Sequence, residues 1–130
     1  MSQTSRRYPR IEADCKMEYE FVNWKEKELE SLKSPQSVNI SDISTNGLGV
    51  KNLPAIDDKM VKLLEKGKKK VKIALHLYDD CPPFLAFARL VWNQANDNGE
   101  KRFGFMFISV TEEFYTAVNN YVNSKVPVPN

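Results

Sequence analysis

Asp14-Cys15-Lys16-Met17-Glu18-Tyr19-Glu20-Phe21 alternates charged and apolar residues without a break. In an extended chain Cys15, Met17, Tyr19 and Phe21 share one side, and Asp14, Lys16, Glu18 and Glu20 the other. Successive side chains of a strand point to opposite faces, so this period of two predicts a strand with one dry and one wet face. The strand is expected to run from Ala13 to Trp24. The same period returns from Lys68 to Leu77, where Val71, Ile73, Leu75 and Leu77 oppose Lys70, Lys72 and His76. It returns again from Arg102 to Ile108, with Phe103, Phe105 and Phe107 on one face. Strands with a dry face need partners to cover it, so the chain is expected to be mainly β.

The segments between these runs complete the pattern. Strands are predicted at about Ser37–Ile43, Gly47–Leu53 and Phe84–Trp92. Ser44-Thr45-Asn46-Gly47, Asp79-Asp80-Cys81-Pro82-Pro83 and Asn96-Asp97-Asn98-Gly99 carry turn chemistry. Lys25 to Ser34 reads as a long charged connection with a helical turn around Glu28–Leu32. Met60, Leu63 and Leu64 stand at helical spacing before Gly67, which suits a short helix or a wide loop. A last helix follows Ser109 and Thr111, either of which can cap it, and its apolar stripe is Phe114, Val118, Tyr121 and Val122. Short strands, regular turns and one late helix point to a small antiparallel barrel whose wall or mouth the helix covers.

Composition narrows the function. The chain has 130 residues, 42% of them hydrophobic, which suits one domain. Its formal net charge is +2, so any anion site must be local. Residues 1–5 are polar and no long apolar run follows, so neither a secretory leader nor membrane insertion is expected, and the chain reads as cytoplasmic. Cys15 and Cys81 are expected to be reduced and mostly buried; no spacing motif asks for a disulfide between them. With His76 as the one histidine there is no triad, no HExxH and no Cys/His metal cluster, so the chain is not expected to be an enzyme or to need a cofactor. Asp57-Asp58 and Asp79-Asp80 sit at turns or caps, where Asp serves local hydrogen bonding. Lys66-Gly67-Lys68-Lys69-Lys70 has no interleaved aromatics, so it reads as a solvated turn and no DNA or RNA binding is expected.

Two short motifs remain. Arg6-Arg7-Tyr8-Pro9-Arg10 is a basic arm in which Pro9 steers Tyr8 toward extended geometry. An extended arm puts Arg6 and Arg10 on one side, about 13 Å apart, with Arg7 opposite. Arginine forks bind phosphate or the O6/N7 edge of guanine and stack on bases. The second motif, Asp42-Ile43-Ser44-Thr45-Asn46-Gly47, offers a carboxylate, a hydroxyl and a glycine that permits close approach. Each alone has a plainer reading, as a solvated tail or an ordinary tight turn. Together they suit a small ligand with phosphates and guanine edges.

The pair resembles the PilZ domain family, whose pattern is RxxxR followed by [D/N]xSxxG. Ala88-Arg89-Leu90-Val91-Trp92 and Phe103-Gly104-Phe105-Met106-Phe107 strengthen the likeness, which runs from about Arg6 to Tyr121 and leaves no room for a second domain. The resemblance implies a six-stranded antiparallel PilZ-like β-barrel with a C-terminal α-helix, and a receptor for the bacterial second messenger cyclic di-GMP. Residues 1–12 would be a flexible arginine arm and residues 13–126 the barrel domain. Arg6, Arg7 and Arg10 would hold phosphates and guanine faces, Asp42, Ser44 and Gly47 the guanine edge, and Trp92 would lie beside the ligand or pack at the rim. The arm would order on binding and present a surface to an unidentified protein partner. Two departures stand out: Ala88 replaces a frequent glycine, and Ser5 before the arm leaves open whether one ligand or two bind. The alternative readings are an adaptor that binds proteins without the nucleotide, and a small barrel for single-stranded nucleic acid.

Overall fold

The computed structural model describes residues 10–53 and 56–125. The strands are β1 (Ile11–Glu12), β2 (Lys16–Asn23), β3 (Gln36–Ile43), β4 (Gly47–Lys51), β5 (Lys69–His76), β6 (Phe84–Ala95) and β7 (Lys101–Val110). The helices are α1 (Asp58–Glu65) and α2 (Glu112–Lys125). All strand pairings are antiparallel, in the order β1-β3-β2-β5-β6-β7-β4, and β4 pairs back onto β3. That last pairing closes six strands into the expected barrel and leaves no long open edge. β1 lies end to end with β2 along β3, bridged by hydrogen bonds from Ala13 N–H to Ser41 O and from Ile40 N–H to Cys15 O.

The dry faces predicted from alternation meet inside. Met17 and Tyr19 of β2, Ile73 and Leu75 of β5, and Phe103 and Phe105 of β7 are all buried. α2 closes one side of this core with Phe114, Val118, Tyr121 and Val122. Phe114 meets Phe107 edge to face, with ring centroids 4.9 Å apart. Each such side chain contributes about 1.5–3 kcal/mol by leaving water, so the helix is held by its stripe. Its cap is Thr111, whose Oγ1 accepts the Phe114 N–H at 3.1 Å. α1 starts where Asp57 Oδ1 accepts the Met60 N–H at 2.8 Å, and Gly67, at φ +73°, ends the turn that follows.

Three expectations need correction. Glu28–Leu32 forms no helical turn: Glu20 Oε1 accepts the N–H groups of Lys33 at 2.8 Å and Ser34 at 3.1 Å, pinning the connection near its end just before Pro35. Lys70 and Lys72 lie on the outer face but are not wet, at 6% and 3% exposure. Their stems are covered because Phe87, registered with Lys72, is itself outward and buried, and Lys70 Nζ sits 3.9 Å from its ring centroid. Desolvation there lowers the Lys70 pKa. Cys15 and Cys81 are both free thiols, but only Cys15 is buried; Cys81 stands exposed in the turn before β6.

Candidate functional site

Two register shifts build the site. On β3, Ile40 registers with Val50 and Asp42 with Gly49, so β3 carries one residue more than β4. Ile40 and Ile43 both stay in the core. Ser41 and Asp42 are thereby kept out of it together, as a bulge allows. On β6, Leu90 registers with Phe105 and Trp92 with Gly104, so the extra residue there is Val91. Leu90 is buried, while Val91 and Trp92 are 43% and 40% exposed.

The result is one continuous row across the outer face. Glu12 of β1 registers with Asp42, Asp42 with Gly49, Gly49 with Gly104, and Gly104 with Trp92. The two glycines form a shelf of bare backbone. From one end the carboxylate of Asp42 leans over Gly49, where an added Cβ would lie 2.9 Å from Oδ1. From the other end the indole of Trp92 covers Gly104.

Arg10 and Asp42, the ends of the two sequence motifs, are joined. Arg10 Nη1 donates to Asp42 Oδ1, and both side chains are about a quarter exposed. A charge-assisted bond of this kind orients both groups. The guanidinium has further N–H donors, which take no partner among the described residues. Ser41 Oγ donates to Gly49 O at 3.0 Å and holds the bulge against β4.

Ser44 and Gly47 have a different place. The Ser44 N–H donates to Gly47 O at 2.8 Å, and Ser44 Oγ accepts the Asn46 N–H at 3.3 Å. Ser44 is buried, and its hydroxyl is spent on the turn. An added Cβ on Gly47 would stand 2.1 Å from Phe105 O, so glycine is what lets β4 approach β7. Arg6 and Arg7 lie outside the described residues. Ala88 faces the core, registered with Val71 and Phe107, so its methyl group does not touch the outer face.

Sequence reasoning gave no site role to four residues here: Gly49, Gly104, Lys51 and Arg102. The available signal was a glycine inside a strand, which marks close approach by a side chain or a ligand. Lys51 and Arg102 line a groove of about 620 Å³ with Glu12, Asn39, Ser41 and Asp42. The groove opens where β3 and β4 part, since they register only between Ile40 and Ile43. His76 is not part of it: its Nε2 lies 2.7 Å from Glu18 Oε1, away from the row. Among the described residues no group of three His, Cys, Asp or Glu side chains is placed to hold a metal. No helix among them is long and apolar enough to cross a membrane.

The barrel is that of a known family. The family model of the PilZ domain matches residues 4–124, and the chain belongs to the PilZ domain family. No curated protein sequence matches the chain. Among solved structures, the inhibitor of motility MotI/DgrA of Bacillus subtilis superposes with a TM-score of 0.66 at 10% identity, covering 92% of this chain and 50% of that one. YcgR of Escherichia coli in complex with c-di-GMP gives 0.58 at 18% identity, covering 92% and 45%. The PlzA protein of Borreliella burgdorferi in complex with c-di-GMP gives 0.58 at 15%, covering 98% and 57%. The chain therefore spans about half the length of these proteins. At such identities the likeness is one of fold.

Proposed function

We propose that the chain is a receptor for cyclic di-GMP and works as a non-catalytic signalling module. The observation that carries this reading is the single row on a PilZ barrel that joins the Arg10–Asp42 pair, the Gly49–Gly104 shelf and Trp92. YcgR and PlzA, solved with c-di-GMP, support it as members of the same fold. In this reading Trp92 offers an aromatic face for a guanine, and Asp42 accepts from the donors on the guanine edge. Arg10, oriented by Asp42, donates to phosphate or to guanine O6/N7. Ser44 and Gly47 act through the turn that places Asp42. Arg6 and Arg7 complete the grip when the arm, residues 1–12, orders across the ligand. The ordered arm then makes a new surface on domain 13–126 for a protein partner.

Calorimetry with cyclic di-GMP tests the reading. The chain is expected to bind, and Arg10→Ala to weaken binding by about 2 kcal/mol, the scale of a hydrogen bond to a charged group. Unchanged affinity in Arg10→Ala overturns the site. No heat and no thermal shift with the unaltered chain overturns the function and favours the adaptor. Proteolysis tests the switch: cleavage within residues 1–12 should slow when the nucleotide is added, and an equal rate with and without it rejects the ordering step.

A further inference from the structure

Two residues along the same strands from the glycine shelf, Lys51 of β4 registers with Arg102 of β7. Val50 and Phe103, between these two pairs, are in the core, so alternation turns Lys51 and Arg102 to the same outer face as the shelf. Both line the groove whose other wall is Asn39, Ser41 and Asp42. Neither cation makes an ion pair with a carboxylate among the described residues. The nearest acidic wall offers Asp42, already engaged by Arg10, and Glu12. Like charges directly opposite one another across two strands repel, so this pair is unfavourable until an anion sits between them. By strand geometry Asp42 and Lys51 are about 8 Å apart at Cα, from one inter-strand spacing and two residues along. One dinucleotide seated on the shelf can touch both.

We propose that Lys51 and Arg102 form a second anion subsite of this face, one that takes the phosphodiester of the dinucleotide remote from Arg10. The inference rests on the cyclic di-GMP reading and adds to it residues that neither the arm nor the polar turn contains. Arg102 supplies a planar fork for two phosphate oxygens, and Lys51 a movable point charge beside it. The subsite also gives the groove a use: it is where the ligand runs off the shelf between β3 and β4.

The test is cyclic di-GMP binding by calorimetry across a series of salt concentrations, for the full chain and for a Lys51→Ala/Arg102→Ala double variant. The double variant should bind at least about tenfold more weakly, since charge-assisted contacts to phosphate are lost. Its affinity should also depend less on salt, because two screened attractions are gone. A Lys51→Arg/Arg102→Lys exchange, which keeps both charges, should restore the salt dependence. If the double variant no longer melts like the full chain, Lys51→Gln and Arg102→Gln are read singly for the same fall. A double variant with unaltered affinity and salt dependence rejects the subsite and leaves the proposed function standing. Absence of binding by the unaltered chain rejects the proposed function itself, and the subsite with it.

Discussion

The indole of Trp92 fills the space in which a side chain on Gly104 would stand: a Cβ built there lies 2.3 Å from both Cε2 and Nε1 of the ring. The two residues face each other across β6 and β7. The glycine is what allows the largest aromatic side chain to lie against the sheet, and the ring is what gives a bare backbone an aromatic surface. Neither residue builds this surface alone.

Gly104→Ala should therefore lift the ring off without undoing the barrel. Trp92 is 40% exposed, so it can swing into solvent at small cost. The melting temperature is expected to move by only a few degrees. Cyclic di-GMP affinity should fall by about 1–3 kcal/mol, the worth of one base stacked on an aromatic. Calorimetry measures the affinity, and Trp92 emission in a Trp24→Phe background reports the ring. Full affinity in Gly104→Ala would remove Trp92 from the site.

Asp42→Asn separates binding from stability. The Arg10–Asp42 pair is part exposed, and such pairs add about 1 kcal/mol or less to folding. Urea unfolding should thus change little. Ligand affinity should drop by about tenfold or more, because the amide no longer holds Arg10 by charge and presents donors where guanine donors arrive. Loss of both stability and binding in equal measure would make Asp42 a structural residue only.

Gly47→Ala should do the reverse. Its Cβ would stand 2.1 Å from the Phe105 carbonyl oxygen, a backbone atom that cannot step aside without parting β4 from β7. A loss of about 2 kcal/mol or more is expected, in the range of severe steric mutations. Thermal unfolding checks this. A normal melting curve with weakened ligand binding would instead mark Gly47 as a ligand contact.

Alkaline pH should destabilise the fold through its core acids. Burial raises the Cys15 thiol to about 11 and the Tyr19 hydroxyl to about 12, and it raises Tyr121 as well. The native state keeps protons that the unfolded chain releases nearer 9 for Cys and 10 for Tyr. For Cys15 the stabilisation is complete below pH 9 and is lost as pH rises through about 11. The slope is at most about 1.4 kcal/mol per pH unit for one group. Denaturant unfolding between pH 8 and 11 should show it, and Cys15→Ala should flatten the early part. A flat profile would contradict the burial of these groups.

Alternation exposed the barrel because its core strands obey it: Met17 and Tyr19, Ile73 and Leu75, Phe103 and Phe105 all point inward as counted. The same counting fails at the site. From Ala86, Ala88 and Leu90, a period of two puts Trp92 inside; from Val38 and Ile40 it puts Asp42 inside. The extra residues at Val91 and Ser41 reverse both, and no glycine or proline announces either shift. Asp42 was therefore reachable through the chemistry of its polar turn rather than through alternation, and Trp92 only through motif resemblance. The Arg10–Asp42 bond was hidden for another reason, since 32 residues separate the partners and only the pairing of β1 with β3 brings them together. Lys70 and Lys72 misled because their wet-face position says nothing of the outward Phe87 that shelters them.

The barrel is fastened unequally around its circumference. β2 and β5 run together from Lys16 to Asn23, whereas β3 and β4 hold one another only from Ile40 to Ile43. The seam lies directly beneath Asp42 and Gly49. Anything seated there acts as a clasp on a hoop, tying β3 to β4 across a short join. Amide exchange at Gly49 and Val50 should then slow more on binding than exchange in the long β2–β5 ladder, so that the messenger would tighten the same ring that displays it.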